Sequence, residues 1–148
     1  MFARTFFVTT VTARRFPLFR NEGKARLLME TLFHYQTQRK YELHEFVIMP
    51  DHIHLLLTPS RETSLERVVQ FIKGGFSYRL HAQGTVWQES FANHRIRDED
   101  DFERHREYIR MNPVEARLAR RPEDYPYSSC AIKADTDSVA PSGAKAPA

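Results

Sequence analysis

The chain has 148 residues, with 22 Lys and Arg against 19 Asp and Glu, a net charge of +3 and a pI near 9.2. That is enough for one domain with its own core and a bias toward acidic partners. No apolar run approaches the ~20 residues of a membrane helix, so no membrane partner is expected. The single Cys130 excludes an internal disulfide or a cysteine-built zinc cluster and suits a reducing cytoplasm.

TFFVTTVT (Thr5–Thr12) is rich in β-branched and aromatic residues and reads as a strand; its threonines argue against a leader sequence. From Asn21, NEGKARLLMETLFHYQTQRK has a helix cap and apolar residues at Leu27, Leu28, Leu32 and Tyr35. HEFVIM and HIHLLLTP form two strands joined through Pro50-Asp51, a hairpin. SLERVVQFIKGGFSYRLH gives a second helix, which Gly74-Gly75 should weaken or bend. TVWQESFANHRI reads as a fourth strand with an irregularity, and DEDDFERHREYIRMNP as a third helix ended by Pro113.

The order β-α-β-β-α-β plus a helix predicts an α+β, ferredoxin-like βαββαβ antiparallel sheet with the third strand inside it and an additional C-terminal helix. Residues 1–130 make the domain. Residues 131–148, AIKADTDSVAPSGAKAPA, carry no net charge and almost no large apolar side chains, and are expected to stay a disordered tail. The excess positive charge therefore lies on the folded part.

PDHIHLLLTP holds the chemistry of interest. Side chains alternate along a strand, so His52, His54 and Leu56 share one face while Ile53, Leu55 and Leu57 share the other. The two crossover helices should cover the leucine face, leaving both imidazoles under the third helix. Tyr108 and Asn112 on that helix are four residues apart and so lie on one side, one turn apart.

If that side meets the histidines, two imidazoles, an amide oxygen and a phenol come together. Such a set can hold a divalent cation with positions left open to substrate. Each piece also has a purely structural reading: satisfied core histidines, a helix-end Asn, a packed Tyr. Three such devices would then have to converge by accident on the one uncovered sheet face.

In order and spacing, HEFVIMPDHIHLLLTP, SLERVVQFIKGGFSYRL, VWQESFANHRI and YIRMNPVEARLARRPEDYPYSS resemble the successive motifs of REP-associated tyrosine transposases, the single-tyrosine HUH transposases. The resemblance runs from about Thr5 to Ser129. It implies that His52 and His54 are metal ligands, that Asn112 occupies the third metal position (Gln in some relatives), and that Tyr108 is the nucleophile. Many relatives carry Asn before the first histidine, where this chain has Asp51.

The implied activity is metal-dependent cleavage and rejoining of single-stranded DNA near hairpins or palindromic repeats. It would proceed through a 5′-phosphotyrosine, with Mg²⁺ or Mn²⁺ as cofactor. A bacterial cytoplasmic setting and either a monomer or a homodimer fit this resemblance. With one nucleophile per chain, full strand transfer needs two chains or two cycles.

Along the third helix the charge reverses: Asp98 to Glu103 holds five acids, and Arg104 to Arg121 holds six Arg against two Glu. This suits the helix dipole. It also makes Arg110, Arg117, Arg120 and Arg121 candidates for a phosphate backbone, together with Lys73, Arg79, Arg95 and Arg97. Trp87 and Phe91 are candidate stacking surfaces for unpaired bases, against a core reading for Trp87.

Two other classes of function remain at this point. A non-catalytic ferredoxin-like nucleic-acid-binding protein would use the same basic surface without Tyr108. A metal-dependent hydrolase would use the histidines but form no covalent adduct.

Overall fold

Strand alternation decides what lies on each side of the sheet. The computed structural model describes residues 2–134. Its elements are β1 (Phe6–Val11), α1 (Glu22–Thr37), β2 (Tyr41–Met49), β3 (His52–Pro59), α2 (Leu65–Leu80), β4 (Ala92–Arg95) and α3 (Glu99–Glu115). The sheet runs β2-β3-β1-β4 with every pairing antiparallel, so β3 is interior as the ferredoxin-like order requires.

Ile53, Leu55 and Leu57 pack with Val8, Phe46 and Ile48 against Leu28 and Leu32 of α1 and Val68, Ile72 and Phe76 of α2. Each fully buried side chain of this kind contributes roughly 1.5–3 kcal/mol. The opposite face is closed by a smaller cluster, in which Val47, Met49 and Leu56 meet Ile96, Ile109 of α3 and Tyr125. β1 lies beside β3 with Thr9 opposite His54 and Val11 opposite His52. Phe7 is opposite both Leu56 and His94.

Each long helix opens on a side-chain cap. Asn21 accepts the Lys24 N–H at 3.0 Å, Ser64 the Arg67 N–H at 3.1 Å, and Asp98 the Asp101 N–H at 2.8 Å; such caps are worth about 1 kcal/mol apiece.

Two elements and one side chain depart from expectation. α3 does not end at Pro113 but runs on to Glu115 with the proline buried inside it. The ring removes one intrahelical bond, yet the turn beyond is held by Ala116 N–H on the Asn112 carbonyl and Leu118 N–H on the Pro113 carbonyl, at 3.0 and 2.8 Å. The fourth strand is also shorter than TVWQESFANHRI: Trp87 makes an isolated bridge to Thr12, and only Ala92–Arg95 pair with β1. The Trp87 ring packs on Phe19 and Phe76 and donates its indole N–H to the Lys73 carbonyl at 3.2 Å, so it is core and not a base-stacking surface.

The tail boundary moves as well. Ala131 is buried and Lys133 donates to the buried Glu45 carboxylate at 2.8 Å. Arg106 of α3 donates to the same carboxylate at 3.0 Å, and the Ser129 hydroxyl is bonded to it too. Burial alone would raise the Glu45 pKa; these donors outweigh it and hold the carboxyl below its usual range. Beyond residue 134 the tail expectation lies outside the described residues.

α2 is continuous through Gly74 and Gly75. A Cβ on Gly75 would stand 2.5 Å from the Tyr35 hydroxyl, whereas one on Gly74 would meet nothing within 4 Å. Gly74→Ala should therefore raise stability by about 0.5–1 kcal/mol, while Gly75→Ala lowers it by about 1 kcal/mol because Tyr35 must swing off its stack on Phe71. Urea unfolding of the two variants checks the contrast.

Candidate active site

His52 and His54 project from β3 on the α3 side, and their ring centroids are 4.8 Å apart. In both rings Nδ1 is engaged: His52 with Asp51 Oδ1 at 2.7 Å, His54 with the Thr9 hydroxyl at 2.8 Å. Asp51 accepts in turn from Arg15 Nε at 3.2 Å. Burial opposes ionisation of Asp51, but the His52 hydrogen bond and the Arg15 guanidinium outweigh it and hold the carboxyl below its usual range. Partners on Nδ1 orient both imidazoles and leave Nε2 for another bond.

The Tyr108 ring stands edge-on to His54 at 5.3 Å. Phe7 stacks on His54 at 5.3 Å and meets Tyr108 edge-on at 5.9 Å, so one aromatic from β1 seats both. His54 is buried and Tyr108 is half exposed. Burial, with a smaller effect from neighbouring His52, pushes the His54 pKa down to about 3. The ring therefore stays neutral and keeps a lone pair at physiological pH.

Asn112 follows one turn along α3, partly buried, and its side chain makes no hydrogen bond among the described residues. Tyr125, the rival phenol, is buried and donates to the Ile48 carbonyl at 2.6 Å; burial raises its pKa to about 12.

A second group with metal-ligand composition lies where β4 meets the start of α3. Donor atoms of His94, Asp101 and His105 fall within 4.8 Å of one another. Both Asp101 oxygens are already engaged. Oδ2 accepts from His94 Nε2 at 2.8 Å and the Arg97 N–H at 2.9 Å, while Oδ1 accepts from Arg104 Nη2 at 3.1 Å and lies 3.2 Å from His105 Nδ1. A cation there would have to displace the Arg97 N–H and the Arg104 guanidinium from the same carboxylate.

The family described as "Transposase IS200 like" matches residues 3–112. The chain belongs to the IS200-like transposase family. A REP-associated tyrosine transposase of Escherichia coli K12 is 28% identical over 127 residues, covering 84% of this chain and 74% of that protein. A solved REP-associated tyrosine transposase bound to a REP hairpin is similar with a TM-score of 0.73 and 26% identity, over 87% of this chain and 78% of that one. Membership places the chain among DNA-processing enzymes. No helix among its described residues is long and apolar enough to cross a membrane.

The expected basic residues of this family member fall into separate groups. Arg110, 3.6 Å from Glu107, together with exposed Arg117 and Arg120, follows Tyr108 along and just past α3. Arg121 is paired with Asp124 at 3.1 Å and contributes little free charge. Arg97 flanks Asp101 at 3.6 Å. Lys73 and Arg79 sit on α2, across the sheet from Tyr108: Lys73 donates to the Gln88 carbonyl at 2.8 Å and Arg79 lies over the Tyr35 ring at 5.7 Å. Arg95 alternates with His94 on β4 and so points to the α1 and α2 side. Phe91 packs partly against the main core.

Residue patterns missed Thr9, Arg15, His94 and Asp101. Thr9 was within reach, since it alternates with Phe7 on β1 and pairing with β3 sets it opposite His54. Asp101 was hidden inside a run of acids that already suited the helix N-terminus.

Proposed function

We propose that the chain cleaves and rejoins single-stranded DNA beside hairpins, with Tyr108 as nucleophile and His52, His54 and Asn112 as the holders of a divalent cation. The observation that carries this reading is the Tyr108 ring standing on the edge of His54, inside a pair of imidazoles whose Nδ1 atoms are both engaged. The hairpin comes from the solved relative, whose bound ligand is a REP hairpin.

Bound through the two Nε2 atoms and the Asn112 amide oxygen, magnesium or manganese would polarise the scissile phosphate and lower the charge that attack must overcome. Tyr108 Oη attacks phosphorus; the new O–P bond makes a 5′-phosphotyrosine while the P–O3′ bond breaks and leaves a 3′-hydroxyl. The phenol proton must depart as the bond forms, because its ordinary pKa is near 10. His105, one helical turn before Tyr108, is our candidate to receive it: its Nδ1–H donates to the Asp101 carbonyl at 2.8 Å, which leaves Nε2 as the nitrogen with a free lone pair. The ester retains the energy of the broken bond, so a later 3′-hydroxyl can rejoin strands without a nucleotide cofactor.

Incubation of the chain with a hairpin bearing single-stranded flanks, in manganese, should yield a protein–DNA adduct stable on a denaturing gel. Cleavage with no adduct would instead indicate a hydrolase. Asp51→Ala, which leaves His52 without its acceptor, should weaken manganese binding by roughly 10–100-fold in calorimetric titration while leaving the fold intact.

A further inference from the structure

We infer that the turn Arg14-Arg15-Phe16, between β1 and α1, is a binding element for an unpaired nucleotide of the strand leading into the His52 site. This rests on the nucleolytic reading of that site and adds to it a grip on the single-stranded flank.

Arg14 and Arg15 are consecutive residues with φ of 55° and 52°, the left-handed region that costs a residue with a Cβ free energy and that glycine occupies readily. A turn needing only its shape would be better served by glycine; arginines held there against their preference point to a use for the side chains. Arg14 is exposed and forms no ion pair among the described residues.

Phe16, next in sequence, is 60% exposed, more so than Tyr108. An exposed ring beside an unpaired guanidinium is the combination that holds successive bases and phosphates of a single strand, whatever their sequence.

The turn is fixed to the histidine site although it is far from it in sequence. The Thr12 hydroxyl, fully buried, is bonded to the Phe16 carbonyl at 2.8 Å and the Asp51 carbonyl at 3.1 Å. The Thr12 N–H also meets the Asp51 carbonyl at 3.0 Å, and the Phe19 N–H meets the Pro50 carbonyl at 2.9 Å. Arg15 reaches the Asp51 carboxylate that holds His52. The link from Arg15 through Asp51 to His52 sets this turn beside the histidine end of β3, where a strand lying over Phe16 would lead into the site.

The test is fluorescence anisotropy with two oligonucleotides, a hairpin with a single-stranded flank and the same hairpin blunt-ended. Phe16→Ala should weaken binding of the flanked hairpin by about tenfold, leave the blunt hairpin unaffected, and be rescued by Phe16→Trp. Replacing one flank nucleotide by an abasic site should remove the Phe16→Ala penalty at a single position. Arg14→Gly should lower the dependence of log K on log salt by about 0.7 and raise the melting temperature, because glycine relieves the backbone.

Equal binding of the flanked hairpin by parent and Phe16→Ala overturns the assignment. So does an effect of Phe16→Ala confined to sedimentation size, which would make the ring a subunit contact. Adduct formation by the parent, read separately, tells whether the nucleolytic reading itself stands, since strand binding is measured whether or not cleavage occurs.

Discussion

Tyr108→Phe will abolish the covalent adduct, with strand cleavage falling by roughly 10⁴-fold or more, as when a nucleophile acting in a unit is removed. Folding should be unaffected. The ring keeps its edge contacts with His54 and Phe7, half of it is already in water, and Oη makes no hydrogen bond among the described residues, so stability should change by no more than about 0.5 kcal/mol. Hairpin binding should likewise persist, because a single hydroxyl contributes little beside a field of arginines.

The three classes of function separate cleanly on this one variant. A nucleic-acid-binding module would show no loss of any kind, having nothing that depends on Oη. A hydrolase using the imidazoles would keep cutting. Only a phenol that attacks phosphorus loses adduct and cleavage together while retaining affinity, and gel and anisotropy measurements on the same preparation read both.

What made this site legible was periodicity. Alternation along HIHLLL allots the leucines to one core and the imidazoles to the other face; the four-residue step from Tyr108 to Asn112 allots both to one side of a helix. Neither inference needs to know what the other element does. The observed registers then bring the two together through Phe7, whose role no local pattern could disclose because it depends on β1 lying between β3 and β4.

Charge was less legible for the same reason. Lys73, Arg79 and Arg110 look alike as letters, yet two lie across the sheet on α2 and one follows the phenol, and Lys73 is already spent on backbone carbonyls. Pro113 misled in another way. A proline forbids one hydrogen bond but does not forbid the turn after it when the next carbonyls find donors, as those of Asn112 and Pro113 do.

Asp101→Asn should be the most destabilising single-atom exchange near the site, costing about 2–3 kcal/mol and lowering the melting temperature by about 10 °C. The carboxylate is 1% exposed and joins β4 to α3 by accepting from His94, the Arg97 N–H and Arg104. An amide in its place turns an N–H₂ toward groups that are themselves donors. The cost stays below that of a deeply buried pair because the arginines covering Asp101 are more than half exposed and remain hydrated.

The pH dependence has a definite sign. Burial opposes ionisation, but the His94 hydrogen bond and the Arg97 N–H outweigh it and hold the Asp101 pKa far below that of an unfolded aspartate. The stabilisation is therefore fully present above pH ~4 and is lost as the pH falls from there toward the depressed folded value. Parent and Asp101→Asn should differ by the full amount in urea unfolding at pH 7 and converge as the pH falls below about 4. A gap that stayed constant down to pH 2 would show that shape, not charge, is what Asp101 supplies. Because the same carboxylate sets the first turn of α3, two turns before Tyr108, and lies 3.2 Å from His105 Nδ1, the variant should also slow adduct formation at neutral pH with hairpin affinity unchanged, an effect on the placement of the phenol and of His105.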